Sequence, residues 1–253
     1  MLDFTLDAYK VYLGLLKKHH PNIITFSEYF SGKGHLNSFC IIRHDVDRNP
    51  ESALKIAEVE NDMGIRSTYY FRTKKHVLNI KILRKIKRLG HETGYHYESW
   101  ADHKGEPLKA LQDFQANLET LRRWVPVDTI AMHGRPLSGF DNRDMWQKEG
   151  RAGLLGSRFN ITGEVYLDID YSDIAYISDT GRNWHSSASN IQDRVVSQVT
   201  PDFKNREALL AFLEKPHPKM IFLTHPERWQ DSVEGYALQM AKDWLINLIK
   251  MAL

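Results

Sequence analysis

A chain of 253 residues with 42% apolar and 26% charged residues holds enough apolar material for a sizeable core, and 34 basic against 32 acidic residues leave a net charge of +2 that makes no electrostatic case for a nucleic-acid partner. Cys40 is the only cysteine, which excludes an intrachain disulfide, and no apolar run approaches the roughly 18 residues that a membrane span needs. No basic, apolar leader opens the sequence, so the expectation is a soluble protein of the reducing cytoplasm with neither membrane nor nucleic acid as partner.

Residues 5–19 carry Tyr9, Tyr12, Leu13 and Leu16 on one helical stripe, and Ile23-Ile24-Thr25-Phe26 reads as a short strand. Ser38 to His44 is an apolar strand that contains Cys40, a small core filler. Pro50 to Met63 predicts a helix, with proline in its first turn and Gly64 past its end. Ser67 to Arg72 is a second strand, and residues 79–89 form a helix whose basic run Lys81–Arg88 alternates with Ile82, Leu83 and Ile86, as on the solvated side of a packed helix. A brief extended piece at Thr93–His96 precedes a long helix from Pro107 to Trp124 and a strand at Thr129–Met132. Residues 135–187 are rich in Gly, Asp, Asn and aromatics, with a strand at Ile174–Ile177. A helix at 205–214, a strand at Met220–Leu223 and a helix from Gly235 to Met251 complete the series. This alternation implies a mainly parallel sheet with helices outside it, in one domain covering 1–253, with 1–37 as an N-terminal helical extension.

Polar residues recur where these strands end: Asp45 and Asp47, His96, His133 with Arg135, Asp179 with Arg182, and His225. In parallel α/β folds the C-terminal strand ends gather on one face, where sites are built. In His44-Asp45-Val46-Asp47 the two carboxylates stand two apart, so an extended chain points both to one side. Carboxylates that close repel unless a cation or a shared proton compensates, which suits a metal ligand beside a general base. The plainer reading is a strand-ending Asp followed by the helix cap at Asn49-Pro50. In the second polar segment, His91 to Trp100, His96 shares a side with Glu98 if the chain is extended and with Trp100 if it is helical. Imidazole and carboxylate are ordinary ligands of zinc and similar divalent ions.

The order of HDVD, GHETGYH and the late strand ending in Leu223-Thr224-His225 resembles the polysaccharide deacetylases, the carbohydrate esterase family four with the NodB-homology fold, over residues 38–226. The resemblance implies an α/β fold, an irregular (β/α)7-type barrel. It also implies hydrolysis of an N-acetyl group on an amino sugar or saccharide with one divalent metal ion, zinc by preference. On its motifs Asp45 is the general base, Asp47 a metal ligand, His96 the first metal histidine, Arg135 of Arg135-Pro136 the arginine that orients the base, and His225 the general acid. Asp179 and Trp184 resemble its fourth motif. The family's second metal histidine falls four residues after the first, where this chain has Trp100, so either Glu98, His103 or His133 completes the ligand set or the metal is weak or absent. Tyr69, Tyr70, Tyr95, Tyr97, Trp184 and Arg182 are candidates for a substrate wall, with the core as the competing placement for the aromatics, and His185 and Asp141 are further candidates in the irregular stretch. Trp100 motivates one alternative, a metal-independent amidohydrolase on the same fold; a second alternative is a non-catalytic carbohydrate-binding relative that kept the cleft and lost the chemistry.

Overall fold

Every strand pairing in the computed structural model, which describes residues 2–135, 138–147, 153–184, 195–199 and 201–251, is parallel. The strands are β1 (Ile23–Ile24), β2 (Phe39–Val46), β3 (Thr68–Phe71), β4 (Glu92–Tyr97), β5 (Thr129–Met132), β6 (Gly163–Glu164), β7 (Ala175–Ser178) and β8 (Lys219–Thr224). Seven of them follow the order β6-β5-β4-β3-β2-β8-β7, and β1 joins beside β2. The sheet is a curled half-barrel: among the described residues β6 and β7 do not pair, so it stays open between them. This is the α/β barrel architecture that the alternation and the resemblance imply. No helix among the described residues is long and apolar enough to cross a membrane.

The burial pattern separates the two sides of the sheet. Along β2, Cys40, Ile42 and Val46 join the larger apolar cluster with Tyr9, Ala53 and Ile56 from the helices, so they face outward to the helical layer. Phe39 and Ile41 alternate with them and join the smaller cluster with Tyr70, Ala131 and Ile221 inside the curl. Continuing the period of two, Arg43 and Asp45 also lie inside, where the inner row turns from apolar to charged toward the C-terminal end. The basic run is the solvated side of the helix Ile80–Arg88, whose Ile82, Leu83 and Ile86 are buried and whose Lys85 pairs with Glu58 at 2.5 Å.

Two elements differ from the sequence expectation. The strand expected at 23–26 stops at Ile24, because Thr25 caps the short helix Phe26–Phe30: its hydroxyl accepts from the Glu28 N–H, and the Glu28 carboxylate accepts from the Thr25 N–H. The brief piece at Thr93–His96 is a full six-residue strand, β4, with Gly94 at a close approach. A Cβ on Gly94 would lie 2.3 Å from the buried Tyr70 ring and 2.9 Å from the Thr129 carbonyl oxygen. Gly94→Ala is therefore expected to destabilise the fold by about 1–3 kcal/mol, the cost of overpacking, read as a lower midpoint in urea; an unchanged midpoint would refute the close approach.

Outside the curl, β2 is tied to the helix Pro50–Asp62 by a buried carboxylate. Glu60 accepts from Tyr9 and Tyr69, each at 2.6 Å, and from the Ser67 hydroxyl, and it lies 2.8 Å from His44 Nε2. Burial alone would push its carboxyl up, yet His44, His91 and Ser67 together hold it down at about 2. His44 and His91 thus serve this structural network.

Candidate functional site

Four strands deliver side chains to the C-terminal mouth of the curl: β2 brings Asp45 and Asp47, β4 brings His96, β5 brings His133, and β8 brings His225. Parallel register does the placing. His96 stands opposite Ala131 on β5, and the His133 N–H donates to the Tyr97 carbonyl at 2.8 Å, so both imidazoles reach the mouth at similar height. Arg72, just past β3, donates to the Asp47 carbonyl at 3.0 Å and fixes the end of β2.

Asp47 Oδ1 lies 3.3 Å from His96 Nε2 and 3.5 Å from His133 Nε2. Two ligand atoms on one tetrahedral zinc, each at the usual distance of about 2.0–2.1 Å, stand about 3.3–3.4 Å apart. His96 Nδ1 donates to the Ala131 carbonyl at 2.9 Å, since a carbonyl only accepts, and this turns Nε2 toward Asp47, where it would meet an ion. Asp47 Oδ1 is buried with no hydrogen-bond partner among the described residues, an anomaly that a cation resolves. Burial pushes the Asp47 carboxyl up, but His133 and His96 hold it well below its usual range. Conversely, burial disfavours the His133 imidazolium, while Asp47 and Glu98 raise it to about 9. That negative potential also favours a divalent ion. Asp47, His96 and His133 therefore fit a small divalent metal.

Glu98 stands behind this trio. It accepts a two-pronged contact from Arg72, at 2.8 and 3.0 Å, and lies 3.4 Å from His133 Nδ1, so it orients the imidazole. Trp100, at the family's second-histidine position, is buried in the outer cluster, and His103 faces Asp113 at 3.7 Å.

The two flanks of the trio carry a carboxylate and an imidazole, Asp45 and His225. Asp45 Oδ2 is 3.4 Å from His96 Nε2, and Arg43 forks onto Asp45 with Nε to Oδ1 and Nη2 to Oδ2, both at 2.8 Å. Opposite, His225 Nε2 lies 4.0 Å from Asp47 Oδ2, while its Nδ1 is bonded to Asp179 Oδ1 at 2.6 Å. Burial and Arg228 lower the His225 imidazolium, but Asp179 and Asp47 prevail and raise it above its ordinary value. Asp179 is itself held by Arg228 at 2.9 Å and by the Trp229 indole N–H at 2.9 Å.

The structure thus brings together Asp45, Asp47, His96, His133, Asp179 and His225, with Glu98 behind them. The other expected residues stand elsewhere in the structure. Arg135 pairs with Asp102 and lies 3.7 Å from Glu98, and the arginine on Asp45 is Arg43, which shares its strand and side. Tyr95 points outward because its neighbour His96 points inward, and it packs on Phe114 at 5.2 Å. Trp184 stacks on Phe4 and Phe222 at 5.4 and 5.7 Å in the outer core, with its indole N–H on Asp3. Arg182 lies over the Phe4 and Tyr236 rings at 5.1 and 4.6 Å and donates to the Arg228 carbonyl. Tyr69, Tyr70 and Tyr97 are fully buried, and Asp141 is engaged by Arg143. Pro136 and His185 lie outside the described residues.

Sequence reasoning missed Arg43, Arg72, Arg228, Trp229 and Glu227. Glu227 is buried, and its Oε2 has no hydrogen-bond partner among the described residues. Burial and the nearby Asp47 charge raise its carboxyl to about 7. The signal for Arg43 was present, as a cation directly after an apolar run at even spacing from both aspartates.

No family model and no curated protein matches the chain. Solved structures do resemble it. A family-four carbohydrate esterase of Streptococcus mutans is 14% identical with a TM-score of 0.46, covering 93% of this chain and 91% of its own. A family-four carbohydrate esterase from Streptomyces lividans, in complex with acetate, is 11% identical with a TM-score of 0.45, over 83% and 89%. A family-four pseudoenzyme from Bacillus anthracis is 14% identical with a TM-score of 0.44, over 83% of this chain and 61% of its own, so this chain spans less than two thirds of that protein.

Proposed function

We propose that the chain is a divalent-metal hydrolase that removes the acetyl group from the nitrogen of an amino sugar or saccharide. One observation carries this reading: Asp47, His96 and His133 converge at ligand spacing, with the Arg43-held Asp45 on one flank and the Asp179-held His225 on the other. Asp47, His96 and His133 would hold the ion, which when bound supplies Lewis acidity toward the acetyl carbonyl and lowers the pKa of water.

The remaining work falls to the chain's own groups. An amide needs an activated water and a proton for the departing nitrogen. Asp45 is placed to take a proton from the water as its oxygen adds to the carbonyl carbon. Arg43 keeps the Asp45 carboxylate from turning away. His225, oriented through Nδ1 by Asp179, holds a proton on Nε2 toward the site. As the C–N bond breaks, that proton passes to the nitrogen, leaving acetate and a free amine. Favouring metal use over the metal-free alternative, His133 offers a third ligand where Trp100 removes one.

The test is elemental mass spectrometry on protein purified without added metal or chelator, beside acetate release from N-acetylated chitooligosaccharides. Wild type is expected to carry about one zinc or similar ion per chain, and His133→Ala to lose most of it. Chelation is expected to stop acetate release and zinc to restore it. Wild-type metal content in His133→Ala would overturn the ligand set, and chelator-insensitive turnover would overturn the metal reading.

A further inference from the structure

We propose that Tyr166 positions the base Asp45 by fixing the plane of Arg43; this deepens the hydrolase reading above and rests on it. Arg43 is fully buried, and its guanidinium is fixed along an edge and across a face. The edge forks onto both oxygens of Asp45. The face lies over the Tyr166 ring, 4.7 Å from its centroid, with Tyr70 at 5.4 Å. An arginine side chain has many rotamers, and a bidentate contact survives only if its plane matches that of the carboxylate.

Tyr166 is well anchored for this task. It follows β6 in a turn whose Tyr166 and Leu167 N–H groups donate to Glu164 Oε2 at 2.7 and 2.9 Å. Arg143, gripped by Asp141, lies 5.9 Å from the same ring. Glu164 Oε1 accepts from the Met132 N–H at 2.9 Å, on the residue before His133. One buried carboxylate thus ties the turn that presents Tyr166 to the strand that presents His133. The base and one side of the metal trio are set from a common anchor.

The test compares Tyr166→Phe, Tyr166→Leu and Tyr166→Gln, with two readouts. In acetate release from N-acetylated chitooligosaccharides, Tyr166→Phe keeps the ring and is expected to match wild type. Tyr166→Leu and Tyr166→Gln are expected to lose about tenfold in kcat with little change in KM, as for a misplaced base. In proton–nitrogen NMR, the Arg43 Nε–H, assigned by its loss in Arg43→Lys, is expected to exchange slowly in wild type and Tyr166→Phe and rapidly in the other two. Two non-aromatic variants guard against one failing to fold. A slow Arg43 Nε–H with wild-type kcat in either of them would overturn the proposal. Wild type that releases no acetate but shows the expected NMR pattern would remove the hydrolase reading and leave the Tyr166–Arg43 contact standing.

Discussion

Asp45→Asn is expected to lower kcat for acetate release by about a hundredfold or more, the scale of losing a general base, while the bound metal stays at its wild-type level. The separation of the two effects follows from geometry. Asp47, His96 and His133 form the ligand trio without Asp45, whose nearest approach is Oδ2 to His96 at 3.4 Å. Asparagine has nearly the same shape but cannot take a proton from water. It also removes the counter-charge of the buried Arg43, so a lower melting temperature is expected as well. Rates are therefore to be measured well below the variant's melting transition, beside metal content by elemental mass spectrometry. A folded Asp45→Asn protein turning over at the wild-type rate would remove Asp45 as the base. Loss of metal in that variant would instead make it a ligand.

The largest effect on stability is expected at Glu60. Its carboxylate serves Tyr9, Ser67 and Tyr69 and faces His44, joining the helix Leu6–His19 and the helix Pro50–Asp62 to the sheet. Glu60→Ala strips this network of its acceptor and is expected to cost about 3–5 kcal/mol, measured by urea unfolding. The pH dependence has a definite sign. The folded-state pKa is about 2 against an ordinary 4.5, so the contribution is complete above the unfolded value. It is lost as pH falls from about 5 toward about 2. Wild type is expected to lose stability more steeply across that window than Glu60→Gln, whose side chain does not titrate. Parallel stability curves for the two proteins would show that Glu60 is not held ionised.

Much of the site was legible because it depends on short-range parity. Asp45 and Asp47 share a side by their spacing of two, and strand ends in a parallel sheet gather on one face. The same parity, applied one residue further, places Tyr95 outside once His96 is inside, and it makes Arg43 the cation beside Asp45. What spacing does not carry is the partner chosen across strands. That His133 completes the trio depends on the β4–β5 register, and that Arg135 turns to Asp102 depends on how the loop after β5 packs on the short helix Ser99–Asp102. Trp184 follows a strand-end aspartate in sequence, but its ring is taken by Phe4 and Phe222 from distant parts of the chain. Tyr166 and Glu227 lie in segments without a periodic pattern, where no local rule assigns a side.

The strand order has a consequence for how the protein is made. β2 is central, yet one of its edges, from Phe39 to His44, is satisfied by β8, which is synthesised nearly 180 residues later. Until residues 219–224 leave the ribosome, the nascent chain carries an apolar strand with an unpaired row of amides and carbonyls, the kind of edge that recruits other chains. His225 follows at once after β8, so the same late event that closes this edge also delivers the last group of the site. Truncated products therefore lack both a finished sheet and a finished site, and completion of the chain protects the cell from the first as it creates the second.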